Sequence, residues 1–389
     1  MSEFEDIRPY HDEEVEKVIS RLLRDSDLLD FVGKYHSPRL SKIFPIVVRY
    51  IARFALSRTL GSVKSIREFQ EVIAFYAKKI VTETSDGFEF SGIESLDEEK
   101  SFLFIGNHRD IAGDSMLVDY ALWMSGRDTV RIAVGDNLIQ REFATDLMKL
   151  NKSFFIRRSE EGAKKIYAAI LESSRYIFHS LTEGQSIWIA QSEGRAKNGL
   201  DITDPTIIKM FAVAKRKQAL SATIEALRIT PVSISYEYDP CDYLKAKELY
   251  TIEEKGEYQK PSGEDLLSLV KGLGENKGRI NLKFGKTISG DFQTAEEVAN
   301  AVDRQILDNY QLYYINFWAL QKLAMAEGVS AKYPKVWRVF KESIVFEDVS
   351  AFEERYDKCA EPWRQKWLEM YANPVLNKFE NKAENLRPI

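Results

Sequence analysis

His108 is followed by two carboxylates in the run Asn107-His108-Arg109-Asp110-Ile111-Ala112-Gly113-Asp114. That set of residue types suits general-base chemistry. Imidazole titrates near neutrality, and a close carboxylate can fix its tautomer and steady the imidazolium that forms. The apolar run Phe102-Leu103-Phe104-Ile105 stands just before it and reads as a buried strand, so His108 falls at a strand end. The remaining histidines, His11, His36 and His179, have no such setting.

Two further apolar runs lead into polar residues. Ser186-Ile187-Trp188-Ile189-Ala190 precedes Glu193-Gly194-Arg195, and Leu227-Arg228-Ile229 precedes Pro231-Val232-Ser233-Ile234. Between the histidine and the glutamate lies Phe154-Phe155-Ile156-Arg157-Arg158. In order and spacing the set resembles the glycerolipid acyltransferases, the superfamily of lysophosphatidic acid and glycerol-3-phosphate acyltransferases. That family carries a His-x4-Asp block, a Phe-Ile-x-Arg block, a Glu-Gly-Arg block and a block built on proline. The resemblance covers residues 85–290. It departs at one point: the position five residues after His108, where the family has aspartate, is Gly113. Asp114 is the expected partner of His108, as though the turn carried one extra residue, and Asp110 is the alternative.

The resemblance implies transfer of a fatty acyl group from acyl-CoA or acyl carrier protein to a hydroxyl of 1-acyl-glycerol-3-phosphate or a related phospholipid precursor. A lysophospholipid or glycerol phosphate would be the acceptor, with no metal and no bound cofactor. Such a reaction needs a base, stabilisation of the oxyanion and an acceptor held in line. His108 and Asp114 would form the catalytic pair. Arg158 matches the family's arginine better than Arg157, and Arg195 matches its phosphate-binding block. Guanidinium suits that task because it is always charged and offers paired donors. Glu193 can orient Arg195 or bond the acceptor hydroxyl, and Gly194 lets the backbone approach a ligand closely. Asn107 and Arg109 flank the base and either bind substrate or hold the turn. Lys197 and Lys209 are weaker candidates for the same anionic pocket, and Pro231 and Val232 would shape its wall. The alternatives are the same chemistry on another acceptor (a lyso-ornithine lipid, a sugar or another alcohol) and a catalytically silent lipid-binding protein.

Other chemistries lack their parts. His108-Arg109-Asp110 matches the kinase catalytic loop in three letters, but the position of that loop's asparagine is Ser115, with no glycine-rich loop before it and no Asp-Phe-Gly after. There is no Gly-x-Ser-x-Gly elbow and no His/Cys cluster with zinc-ligand spacing.

The elements that must position these residues follow from hydrophobic periodicity. Strands are expected at 86–92, 101–106, 129–134, 153–156, 186–191, 228–237 and 279–285. Helices are expected between them at 115–125, 136–150, 160–182 and 205–220. Gly184 suits a left-handed helix end. The alternation predicts an α/β fold with a mixed sheet of about seven strands flanked by helices. Residues 1–84 read as a helical region, 85–290 as the acyltransferase layer and 291–389 as a C-terminal helical extension. Residues 251–278, rich in Glu, Lys and Gly, read as a solvated excursion. Thr294-Ala295-Glu296-Glu297 fits a capping box, and Val298, Val302, Ile306, Tyr310 and Tyr314 recur every four residues after it. Trp318, Trp337, Trp363 and Trp367 are expected to pack the tail onto the catalytic layer, the alternative being a lipid-facing role for some of them, since indole favours the water–lipid boundary.

With 389 residues, 44% hydrophobic and 30% charged, the chain can bury a large core. A net charge of -5 gives no footprint for nucleic acid. Cys241 and Cys359 lie far apart and read as reduced thiols in a cytoplasmic protein. The start, Met1-Ser2-Glu3-Phe4-Glu5-Asp6, has no apolar leader pattern, and no apolar run reaches the roughly 20 residues of a membrane span. A lipid substrate would then be met at the membrane surface. From Phe31 to Arg67 there is no acidic residue, while Lys34, Arg39, Lys42, Arg49, Arg53, Arg58, Lys64 and Arg67 are interleaved with apolar side chains. Such a segment can lie among anionic headgroups, which makes the inner face of the membrane the expected peripheral location. The competing expectation is a helix whose cations meet acidic groups of the catalytic layer.

Overall fold

The computed structural model describes residues 3–136, 141–261, 263–327 and 349–380. Its centre is a seven-stranded mixed sheet built from β1 (Gly87–Ser91), β2 (Leu103–Gly106), β3 (Arg131–Gly135), β4 (Ser153–Ile156), β5 (Ile187–Ala190), β6 (Ile229–Tyr236) and β7 (Arg279–Phe284). The spatial order is β1-β7-β6-β2-β5-β3-β4. Neighbours from β6 through β4 pair in parallel, while β7 runs antiparallel to β6 and carries β1 with it. The carboxyl ends of β2, β3, β4, β5 and β6 therefore share one edge, where ligands of open α/β sheets bind.

The central strands are near-continuous apolar runs because both faces of the sheet are covered. Leu103, Ile105, Ile187, Ile189 and Ile229 enter one core, with Ile207, Ile208, Phe211, Val298, Val302 and Ile306. Their alternates Phe104, Trp188, Val232 and Ile234 enter the other, with Leu117, Val118, Ala121 and Leu122. The first core lies under α8 (Ala163–Thr182), α9 (Pro205–Ala212), α10 (Leu220–Leu227) and α13 (Ala295–Asn309). The second lies under α6 (Gly113–Met124).

The N-terminal region is helical as expected: α1 (Asp12–Leu22), α2 (Ser26–His36), α3 (Pro38–Ile43), α4 (Pro45–Leu60) and α5 (Ile66–Thr84). All but α3 pack with α7 (Glu142–Leu150) around a core that includes Val15, Ile19, Leu22, Phe69 and Leu150. Phe75 on α5 is exposed. Behind the sheet edge run α11 (Asp242–Lys255) and α12 (Glu264–Gly274). The tail adds α14 (Tyr314–Glu327), α15 (Ser350–Lys358) and α16 (Arg364–Glu380). Trp318 and Trp367 are buried together there, against partly buried Trp363. Trp337 lies outside the described residues.

Several expectations need correction. Residues 252–261 are exposed apart from half-buried Tyr258, as a solvated excursion would be, but beyond them α12 buries Ser268 and Gly272, and Lys277 behind it is 1% exposed. The exposed Glu253, Glu254, Lys255, Glu257 and Lys260 dominate the segment's composition and hid the inner face of α12. The helix expected at 205–220 ends at Ala212 and resumes at Leu220, with a 3-10 turn at Val213–Lys215. The break is pinned by the Ser174 hydroxyl, which donates to Phe211 O and accepts from Ala214 N–H. The helix expected at 136–150 runs from Glu142, and 137–140 lie outside the described residues. The capping box at Thr294 forms, with both reciprocal bonds. Its helix stops at Asn309, so Tyr310 is the C-cap and Tyr314 belongs to the next helix. Gly184 takes φ +77° after α8, as the left-handed cap requires.

One buried acid gives the fold a pH dependence. Asp119 on α6 accepts from Val130 N–H at 2.8 Å. Burial pushes its carboxyl up to about 7, against the lowering effects of that hydrogen bond and of the Lys152 ammonium. The folded state therefore holds this proton at pH values where the unfolded chain has released it. Stability falls as pH rises from the ordinary carboxylate range to about 7 and is flat above. Asp119→Asn keeps the acceptor and has no proton to lose. Its stability relative to wild type should rise by about 2–3 kcal/mol between pH 5 and pH 8. Denaturant melts of both proteins at the two pH values check this, and a difference that does not vary with pH contradicts it.

Candidate active site

β2 ends at Gly106, and the next two residues turn to opposite uses. Asn107 is fully buried. Its amide donates to Ile234 O at 2.9 Å and accepts from Ile234 N–H at 2.8 Å, tying the end of β2 to β6. His108 emerges beside the amino-terminal end of α6 with 15% of its side chain exposed. Its Nδ1 lies 2.8 Å from Asp114 Oδ2. The carboxylate that faces the ring is thus Asp114. Asp110 caps the turn instead, its Oδ1 accepting from the N–H groups of Ala112 and Gly113.

Asp114 is buried and accepts from four donors. Oδ2 takes Arg109 N–H at 2.6 Å, Asp110 N–H at 2.9 Å and the imidazole; Oδ1 takes the Tyr236 hydroxyl at 2.8 Å. Four bonds to one carboxylate fix its orientation and hence that of the ring. The departure from the family spacing has a steric counterpart. A Cβ at Gly113 would sit 2.8 Å from Asp110 Oδ1 and 3.1 Å from the Tyr236 hydroxyl, so any side chain there must displace the turn. Under His108 lies the edge of Trp188, with ring centroids 5.9 Å apart. A Cβ at Gly106 would stand 2.7 Å from the indole nitrogen, so this strand-end glycine gives the indole its room.

Arg109 is turned inward. Its guanidinium donates to Asp201 Oδ2 at 2.5 Å and to Gly199 O at 3.1 Å, and lies over the Tyr310 ring. Of the two roles open to Asn107 and Arg109, holding the turn is the one their bonds serve.

The other blocks meet at the same sheet edge. Ala196 N–H donates to His108 O at 2.8 Å, which sets the Glu193-Gly194-Arg195 loop directly against the histidine. Gly194 takes φ +74°, a conformation that favours glycine. Arg195 Nη1 is buried and bonds no protein acceptor. Arg158 reaches across from the end of β4 to Glu193, Nη1 to Oε1 3.3 Å, joining two blocks. Arg157 points elsewhere, pairing with Asp6 at 2.9 Å and approaching Glu172 at 3.8 Å. Lys197 pairs with Glu248 and Lys209 with Glu296, so neither is a free cation. Pro231 sits opposite Ile105 within β6, and Val232 is buried in the sheet core.

Asp110 is held above the usual carboxylate range by burial and by the Asp114 charge, with the Gly113 N–H and the cations Arg195 and Lys245 opposing. Gly272 of α12 is packed so closely that a Cβ there would meet Asp110 Oδ2. Tyr236, Trp188 and Lys245 join the site without a sequence signal. Tyr236 and Trp188 looked like ordinary strand residues, and Lys245 lies far along the chain. Among the described residues no group of three or more His, Cys, Asp or Glu is placed to hold a metal ion, and no helix is long and apolar enough to cross a membrane.

This α/β layer, with His108, Arg158 and Arg195 near the carboxyl ends of β2, β4 and β5, coincides with a segment that matches a known family. Residues 87–236 match the family model described as Acyltransferase, from the first residue of β1 to the last of β6. Over this segment the chain carries a domain that matches the acyltransferase family, and its four motif blocks fall within or beside it. A solved structure, that of the 1-acyl-sn-glycerophosphate (LPA) acyltransferase PlsC from Thermotoga maritima, is similar at 14% identity. The likeness covers 74% of this chain and 95% of that one, with a TM-score of 0.38. No curated protein matches the chain.

Proposed function

We propose that this acyltransferase moves a fatty acyl group from acyl-CoA or acyl carrier protein to a hydroxyl of 1-acyl-glycerol-3-phosphate or a related phosphate-bearing acceptor. The observation that carries the reading is His108 Nδ1 at 2.8 Å from a buried Asp114 carboxylate, at the sheet edge where the Arg158 and Arg195 blocks also stand. With Nδ1–H donated to Asp114, Nε2 is the nitrogen left to accept a proton. As the acceptor oxygen attacks the thioester carbon, His108 takes its proton. The tetrahedral species then collapses, the C–S bond breaks, and the imidazolium returns the proton to the departing thiolate. Arg195 supplies an uncommitted guanidinium nitrogen for the phosphate. Arg158 adds a second cation, steadied by Glu193. No bound cofactor enters this scheme.

Access to lipid comes from α3 and α4. Leu40, Ile43, Phe44, Ile46, Val47, Tyr50, Ile51 and Phe54 are 52–76% exposed there. Arg39, Lys42, Arg53 and Arg58 beside them make no ion pair among the described residues. Arg49 pairs with Asp30 of the neighbouring α2, so these cations are not drawn onto the catalytic layer. The anionic inner face of the membrane is the surface this patch fits.

The test is thiol release from acyl-CoA and from acyl carrier protein with lysophosphatidate, glycerol 3-phosphate, a lyso-ornithine lipid and a simple sugar as acceptors. Release with none of them refutes enzymatic acyl transfer; release only with the uncharged acceptors refutes the phosphate assignment. Arg195→Met should raise the KM for the phosphate-bearing acceptor about 10- to 100-fold, because charge-assisted bonds contribute about 1.5–3 kcal/mol. The KM for the thioester should change little. An acceptor KM equal to wild type removes Arg195 from the site.

A further inference from the structure

We propose that Lys245, on α11 beyond the matched acyltransferase segment, is a positioning residue for His108, acting through the peptide that joins Arg109 to Asp110. Lys245 is 1% exposed. Its ammonium donates to Arg109 O at 2.7 Å and pairs with Asp239. The N–H at the other end of that same peptide unit, Asp110 N, donates to Asp114 Oδ2 at 2.9 Å. The peptide is planar and trans, so its C=O and N–H point in opposite directions and cannot be reoriented independently. One end is gripped by a buried cation and the other by the carboxylate that holds His108 Nδ1. A charge-assisted bond to the carbonyl polarises the peptide and strengthens the donor at its far end.

The turn departs from the family spacing, and within it the Arg109 carbonyl is directed into the protein. Lys245 is the buried donor that receives it. Asp239, in turn, is braced by the tail. Its N–H donates to the Tyr371 hydroxyl at 2.9 Å, and Arg355 Nη2 donates to its carbonyl at 2.9 Å. Burial works against ionisation of Asp239, but the Lys245 ammonium outweighs it and holds the carboxyl below its usual range. The C-terminal helices α15 and α16 therefore reach the catalytic turn through two buried side chains.

The inference rests on the acyl-transfer reading of His108, and its test separates the two. Lys245→Met alone would strand the Asp239 charge, so the informative variant is Asp239→Asn/Lys245→Met, which removes both charges. Replacing a buried pair by neutral groups is often tolerated, whereas removing one partner is not. The double variant should melt close to wild type and lose about ten- to a hundredfold in kcat, with both KM values within about twofold, since small misplacements of a base act on turnover. In proton NMR of the purified protein, the downfield His108 Nδ1–H signal should shift upfield or broaden. Asp239→Asn/Lys245→Gln restores a neutral donor and should recover most of kcat. Full kcat in the Met double variant, an unchanged Nδ1–H signal, or failure of that variant to fold each overturns the proposal, the last by making Lys245 a structural residue. If wild type transfers acyl groups to no acceptor, the functional reading fails, and the NMR comparison alone decides whether Lys245 positions the ring.

Discussion

Replacing His108 with alanine should lower kcat/KM by about 10²- to 10⁴-fold, the usual contribution of a positioned general base. The substitution removes a partly exposed ring whose bonds are one contact to Asp114 and an edge contact to Trp188. Asp114 keeps three of its four donors, from Arg109 N, Asp110 N and the Tyr236 hydroxyl, so the turn retains its shape. Melting temperature should therefore stay near wild type while turnover collapses. KM for both substrates should change by less than about threefold, because a group that acts in the transition state lowers kcat rather than ground-state binding. A folded His108→Ala protein with near-full turnover would falsify the catalytic assignment.

The second large effect is on membrane binding. Wild type should sediment with vesicles rich in anionic lipid at low salt and be largely released in about 0.5 M salt, where the Debye length shrinks to a few ångströms. Ile46, Ile51 and Phe54 are 76%, 62% and 64% exposed, so changing them touches little of the core. Each fully buried side chain of this size contributes about 1.5–3 kcal/mol, and each cation near the surface about 1 kcal/mol. Ile46→Glu/Ile51→Glu/Phe54→Glu replaces three insertions by repulsion, so affinity should fall more than about 100-fold, with thioester consumption on a soluble acceptor unchanged. Wild type that stays in the supernatant at low salt ends the membrane proposal. The opposite face of α4, with Val48 and Ala52 buried, explains why this helix stays on the protein while presenting an apolar surface.

Much of the layer was legible because burial on both faces of a parallel sheet leaves uninterrupted apolar runs. The seven strand segments coincide with those runs to within a residue or two at each end. The convergence of the blocks follows from the same logic. His108, Arg158 and the Glu193-Gly194-Arg195 run trail β2, β4 and β5, whose carboxyl ends the parallel sheet brings together, while Pro231 lies within β6. The sequence was less informative where a helix carries charge outward and small residues inward. The inner face of α12, with Ser268 buried and Gly272 against Asp110, was invisible in a segment dominated by Glu and Lys. The polar break at Val213–Lys215 was hidden as well, because its cause is a serine on another helix.

From the residues alone came the α/β class, the helical flanks and the basic and apolar N-terminal face, while the short set of candidate acyl-transfer side chains came from the resemblance of four motif blocks to a known family. The former depend on periodicity and residue type, which are local properties of the chain. Tertiary structure decided which carboxylate meets His108, that Asn107 and Arg109 are bonded within the fold, that Arg158 rather than Arg157 turns toward Glu193, and that Lys245 reaches the turn from a distant helix. Those outcomes are hydrogen bonds between residues far apart in sequence. Their geometry exists only after the layers have packed, and a pattern of apolar and polar letters carries no record of it.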